Sequence, residues 1–351
     1  MLNADNQSLT ILTGDSRALL RSVPAESVHC CITSPPYWRL RDYGHPGQIG
    51  WEATPEDYVE TLRSVFAEVR RVLRSDGTLW LNLGDSYASA WPCSRRNQID
   101  NGSLQNGTRE ARPPRLGPGL KEKDLVGIPW LVAFALRADG WYLRSDIIWH
   151  KPNAMPESVT DRPSKAHEYL FLFSKSKRYY YDAAAIREPP SPALLKQIES
   201  GYNRGSTKDF AKGHAQDAGA TKRRIIQGYR KRIDKQRGHG RRHADFNRRW
   251  DRLSNAEQRL CGRNKRTVWT VATTGYRGAH FATYPPALIR PCVLAGCPAG
   301  GVVLDPFAGS GTTGAVALEL GRRVILMELN SEYVKLIRER CTTTSPLAFA
   351  A

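Results

Sequence analysis

"VVLDPFAGSGTTGAVALELGRRVILMELN", residues 302–330, reads as a strand, a glycine turn, a helix and a second strand. The apolar run at its start ends in Asp305, Gly309 and Gly311 occupy the turn, and a helix begins near Thr312. Glycines there let a ligand approach the backbone, and the first turn of a helix offers free N–H groups. No lysine follows the last glycine, so the turn is not a phosphate-binding P-loop. The next strand ends in Glu328, placed where a carboxylate bonds the two hydroxyls of a ribose. Asp305, at the tip of the first strand, is expected to take an ammonium group. A ligand with ribose, adenine and a charged amine fits S-adenosylmethionine better than a dinucleotide, whose phosphates would claim the helix end.

Outward from this unit the same alternation recurs. "LTILTGDS" (9–16) and "SVHCCITS" (27–34) are short apolar runs that end in polar turns, as strands of a buried parallel sheet do. "TPEDYVETLRSVFAEVRRVL" (54–73) opens with a threonine cap and a proline at the first helical position, then carries apolar residues at helical spacing. A strand follows in "GTLWLNLGD" (77–85), a helix over 128–138, and strands in "WYLRSDIIW" (141–149) and "HEYLFLFSK" (167–175). Strands alternating with helices predict an α/β, doubly wound, Rossmann-like sheet. Residues 91–119, rich in Asn, Gly, Arg and Pro, are expected to form a long, mobile loop.

The charge is uneven. Residues 191–266 hold 21 lysines and arginines against 7 acidic residues, most of the +18 carried by the whole chain. Tyr202, Tyr229, Phe246 and Trp250 are scattered among these cations. A solvated basic insert is the plain reading; aromatics among arginines favour a nucleic-acid surface. Seven cysteines show no CxxC pairing, which speaks against a disulfide framework or zinc site, and no metal is expected. No apolar run is long enough to span a bilayer, and "MLNADNQSLT" lacks a basic segment followed by an apolar one, so the cytoplasm is the expected location.

A second stretch asks for a partner of its own. "CITSPPYWRL" ends an apolar run in two prolines and two aromatics, and the prolines hold neighbouring carbonyls outward without local donors. "TSPPYW" together with "DPFAGSGTT" resembles the amino-group DNA methyltransferases, which methylate the exocyclic nitrogen of cytosine or adenine. "LRDYG", "WHKPN", "HEYLFLFSK" and "HFATYPPALI" are similar to the family as well, so the likeness covers most of the chain outside 91–119 and 191–266. The motif order resembles the beta arrangement, a circular permutation of the methyltransferase sheet. It implies a catalytic part over 1–190, a target-recognition region over 191–266 and a cofactor-binding part over 267–351.

The resemblance also implies roles. Ser34, Pro35, Pro36 and Tyr37 form the catalytic motif: the Ser34 hydroxyl and Pro35 carbonyl accept hydrogens from the target amine, and Tyr37 stacks on a flipped-out base. Trp38 either lines the base pocket or packs beneath it. Phe307, Gly309, Ser310, Gly311, Thr312 and Glu328 hold S-adenosylmethionine with Asp305. Asp15 reaches the adenine or simply caps a helix. His280, Phe281 and Ala282 close over the cofactor, although His280 reads equally well as a capping histidine. Serine at position 34, where adenine enzymes of the family commonly carry Asp, favours cytosine N(4) without physically excluding adenine. Cytosine carbon-5 chemistry is disfavoured, since the Pro-Cys pairs at Cys93 and Cys292 lack its surroundings. The expected polymer is double-stranded DNA; RNA, and a non-catalytic DNA-binding relative, are the competing readings. A cognate restriction endonuclease and a second copy of the chain are the further partners that the resemblance leaves open.

Overall fold

The computed structural model describes residues 8–45, 47–89, 119–190, 192, 195, 262–273 and 284–344. Two units are distinguished, Met1–Ala185 with Arg266–Ala351, and Ile186–Lys265. Of the second, the described residues include an antiparallel pairing of Glu188 with Arg263, reinforced by Arg263 Nε donating to Glu188 Oε2 at 2.7 Å.

The first unit is built on an eight-stranded mixed sheet. In chain order its strands are β1 (Leu9–Thr13), β2 (Val28–Thr33), β3 (Leu73–Leu83), β4 (Tyr142–His150), β5 (His167–Ser174), β6 (Val268–Thr270), β7 (Val302–Asp305) and β8 (Arg323–Glu328). Across the sheet they run β1-β8-β7-β2-β3-β5-β4-β6, so the two last strands of the chain sit between the two first. Neighbours pair in parallel except β5, which is antiparallel to both β3 and β4. The two runs read as strands of a parallel sheet, β1 and β2, pair in parallel with their neighbours, and β5 makes the sheet mixed: an apolar run buried on both faces looks alike in either direction, and strand direction is settled by the connections.

Helices cover both faces. Along α1 (Ser16–Leu19), α2 (Pro55–Val72) and α3 (Ile128–Ala138) the buried side chains join one core with Cys31, Leu79, Leu81, Phe171, Phe173, Leu304 and Met327 of the strands. On the opposite face lie α4 (Pro286–Gly296), α5 (Thr312–Glu319) and α6 (Ser331–Thr344). There the fit is close enough to require glycine. A Cβ at Gly296 would come within 2.5 Å of the Trp80 indole nitrogen and 2.8 Å of Cys30 Sγ, and one at Gly314 within 2.6 Å of Leu326.

Local signals explain the boundaries. Thr54 caps α2 by accepting the Asp57 amide at 3.1 Å, with Pro55 at the first turn. Tyr58, Leu62, Val65, Phe66, Val69 and Val72 form the buried stripe of that helix. Leu73 closes α2 and opens β3 without a loop, so β3 begins four residues before the expected strand. The turn that ends β3 runs into Asp85, whose carboxylate accepts the Gly127 and Ile128 amides at the start of α3, both at about 3 Å. Among the described residues no helix is long and apolar enough to cross a membrane.

Candidate active site

The tips of β1, β2, β7 and β8 converge on one cleft, open to solvent. Ser34 and Pro36, directly after β2, line it from one side; Phe307, Gly309, Ser310 and Thr312, after β7, line it from another. Glu328 at the end of β8 and Asp15 after β1 complete the floor. Ser34 and Phe307, nearly the whole chain apart in sequence, therefore face one space because the C-terminal strands are threaded between the N-terminal ones.

Glu328 is mostly buried. Its Oε2 accepts the Gly309 amide at 2.8 Å and its Oε1 the Asn330 amide at 2.9 Å, which leaves further lone pairs on both oxygens for a diol. Burial pushes its carboxyl up to about 7, against the pull of those two amides. Asp15 caps α1 by accepting the Arg17 amide at 2.8 Å and it lines the cleft, its carboxyl held low by the Arg17 guanidinium.

Four expected cofactor residues are engaged in contacts inside the protein. Asp305 does not reach an ammonium: it is 0 % exposed, and its oxygens accept Thr33 Oγ1 at 2.6 Å, Thr313 Oγ1 at 2.7 Å, Tyr284 OH at 3.0 Å and the Phe307 amide at 3.1 Å. All four donors are internal, so the residue clamps β2, β7 and α5 together beneath the cleft. Gly311 is absent from the cleft lining. It starts α5 with φ +77°, and a Cβ there would press on Ile337 of α6 at 3.2 Å, so glycine serves the turn and helix packing rather than ligand approach. Ser310 and Thr312 do line the cleft, yet their hydroxyls accept Arg340 Nη1 of α6 at 3.0 and 2.9 Å. His280, Phe281 and Ala282 lie outside the described residues, as do nearly all of 191–266 and 91–119.

Residues 35–38, which follow Ser34, are held by burial and internal hydrogen bonds. Pro35 is buried, the Pro36 carbonyl accepts the Tyr58 hydroxyl at 2.7 Å, and Trp38 packs beneath the site at 1 % exposure with its indole donating to the Glu52 carbonyl. For the Pro35 carbonyl, no hydrogen bond is found among the described residues. The Tyr37 ring packs against Gly84, where a Cβ would collide with it, and its hydroxyl reaches Glu168 and Asn82. Burial, reinforced by the Glu168 charge, pushes that hydroxyl well above the ordinary tyrosine range.

Sequence reading missed Tyr284, Asn82, Lys151 and Glu168. The last two stand in segments already recognised as family-like, "WHKPN" and "HEYLFLFSK", and the usable signal was a lysine and a glutamate at the meeting ends of two neighbouring strands. The described cysteines are buried free thiols, with Cys30 and Cys31 raised well above the usual range by burial, and no metal-binding cluster occurs among the described residues.

A family model described as DNA methylase, of the N6/N4 type, matches residues 28–339. The chain belongs to the N6/N4 DNA methylase family. It is a DNA methyltransferase. Type II methyltransferase M.SmaI of Serratia marcescens is 42% identical to this DNA methylase over 339 residues, which cover 97% of this chain and 92% of that protein. Among solved structures, PvuII DNA methyltransferase (cytosine-N4-specific) aligns with TM-score 0.54 at 18% identity, over 95% of this chain and 88% of that one. The Thermus thermophilus protein TTHA0409, solved in complex with S-adenosyl-L-methionine, aligns with TM-score 0.52 at 22% identity, over 96% of each chain. At those identities the likeness establishes the methylase fold.

Proposed function

We propose that this DNA methylase transfers a methyl group from S-adenosylmethionine to the exocyclic amino nitrogen, N(4), of cytosine in double-stranded DNA. The observation that carries the reading is the shared cleft: Ser34 and Pro36 of the catalytic motif face the same space as Glu328 and the Gly309 turn. The residues present fit the cofactor. A carboxylate with free lone pairs stands beside a glycine turn, Phe307 offers an apolar wall, and Asp15 offers a polar edge for adenine. When bound, S-adenosylmethionine supplies a methyl group activated by a positively charged sulfur.

The protein's share is positioning. A cytosine amine is a poor nucleophile because its lone pair is delocalised into the ring. Acceptors at Ser34 Oγ and the Pro35 carbonyl draw its hydrogens out of the ring plane and bring the nitrogen toward tetrahedral geometry. Such preorganised contacts cost no rearrangement at the moment of reaction. The half-buried Tyr37 receives the extruded base and offsets part of the unstacking cost of a few kcal/mol. No covalent intermediate is required. Serine at position 34 supports cytosine as the base.

Residues 191–266 are assigned to target recognition, with phosphate contacts from the Arg/Lys runs and a few base contacts that set the sequence. The strand order, with β7 and β8 between β1 and β2, supports a circularly permuted methyltransferase sheet. As a bacterial-type modification enzyme the protein would act in the cytoplasm beside a cognate restriction endonuclease. The test is expression in a host that lacks DNA methylation, digestion of the host DNA to nucleosides, and mass spectrometry, with S34A alongside. N(4)-methylcytosine that falls in S34A is the expected result. N(6)-methyladenine would overturn the base, and absence of any methylated base would overturn transfer to DNA. Deletion of 191–266 abolishes sequence preference; an unchanged preference would refute that assignment.

A further inference from the structure

Behind the catalytic serine runs a line of hydrogen bonds whose direction is fixed. Asn82 Nδ2 donates to Glu168 Oε2 at 3.2 Å and to the Tyr169 carbonyl at 3.0 Å, two groups that only accept, so the amide oxygen must face Tyr37. The Tyr37 hydroxyl thus meets two acceptors, Glu168 Oε2 at 2.8 Å and Asn82 Oδ1 at 3.2 Å. Its single proton is committed to them. The other Glu168 oxygen is paired with the Lys151 ammonium, and both side chains are largely shielded from solvent. Tyr37 retains its proton across the neutral range because burial pushes its pKa up. Toward Ser34 it can present only lone pairs, so the Ser34–Tyr37 contact, long at 3.5 Å, has Ser34 as donor. Catalytic hydrogen bonds of this length in a ligand-free site tighten when substrate binds.

A serine hydroxyl is otherwise ambivalent. Turned one way it accepts from an amine N–H; turned the other it donates to the very lone pair that must attack. An aspartate in that position would face no such choice, since an ionised carboxylate only accepts. We propose that Glu168, held by Lys151, is a positioning residue that acts through Tyr37 to keep the Ser34 proton turned away from the cleft, making Ser34 an obligate acceptor for the target amine. The inference rests on the reading of the protein as an amine methyltransferase and names the device by which a serine performs that task.

Single-turnover methyl transfer to a duplex oligonucleotide tests it, in wild type, Y37F, E168Q and the double variant. In E168Q the Lys151 ammonium attracts the amide oxygen, which turns an amide N–H toward Tyr37, where it competes with the Ser34 proton for the Tyr37 lone pairs. Y37F and E168Q are each expected to slow transfer about tenfold, the effect of one lost hydrogen bond, while S-adenosylmethionine affinity stays near wild type. Because both act through one line, the double variant should lie within about threefold of the slower single variant. Wild-type rates in both singles, or a double variant about a hundredfold down, would overturn the proposal. If E168Q does not fold, Y37F is compared in the S34A background: no further loss is expected there, and a tenfold loss refutes action through Ser34. Failure of wild type to methylate an amino nitrogen would instead strike the underlying reading of function.

Discussion

Burial raises the Glu328 carboxyl to about 7 in the folded chain, above its ordinary range in an unfolded one. Between those values the folded state binds more protons, so its stability is fully present in acid and falls as pH rises through about 7. Substitution E328Q removes this dependence. Relative to wild type, the variant should gain roughly 2–3 kcal/mol between about pH 5 and pH 8, whatever constant offset the substitution carries. Urea unfolding at the two pH values measures it, and a difference that does not change with pH would show that Glu328 ionises normally. The position of Glu328 was legible because a strand-end acid after a glycine turn has one obvious direction in which to serve. Asp305 shows the limit of the same logic. Its strand also ends beside the turn, but Thr33, one of its donors, comes from 272 residues away, and no local pattern announces that hydroxyl.

Helix α2 was readable nearly residue for residue, since a threonine cap, a proline and an apolar stripe all agree. That stripe also supplies much of the packing under β2 and β3. Phe66 is fully buried in the core that includes Cys31, Leu79 and Phe171. F66A should destabilise the protein by about 3–5 kcal/mol, read as a lower unfolding midpoint in denaturant with the slope unchanged. A loss below about 1 kcal/mol would mean that the face is not closely packed. Two elements escaped the sequence. Helix α4 begins at consecutive prolines and contains Pro291, which reads as a breaker although its buried stripe of Leu288, Ile289, Cys292 and Val293 holds it on the sheet. Strand β6 has three residues with only Trp269 buried, too short for any period to show.

At the scale of the whole chain, the strongest sequence signal and the strongest structural one concern different things. The net charge of +18 bears on the polyanionic partner. With about six phosphate contacts, DNA affinity should fall on the order of a thousandfold between about 50 and 200 mM salt, and a flat titration would remove phosphate contact from the account. Strand order was beyond the reach of alternation, which gives the elements without their neighbours; only the order of the family-like motifs hinted that the chain's end belongs at the sheet's centre. That arrangement sets a schedule for biosynthesis. Thr33 and its clamp on Asp305 are separated by 272 residues. At about 5–20 residues per second, a ribosome needs tens of seconds to make the intervening chain. Until then β1 and β2 have left the exit tunnel with no β7 and β8 to lie between them. The nascent chain must keep these apolar edges from wrong partners for most of its synthesis, and Ser34 acquires its place only when nearly the last strand has been delivered.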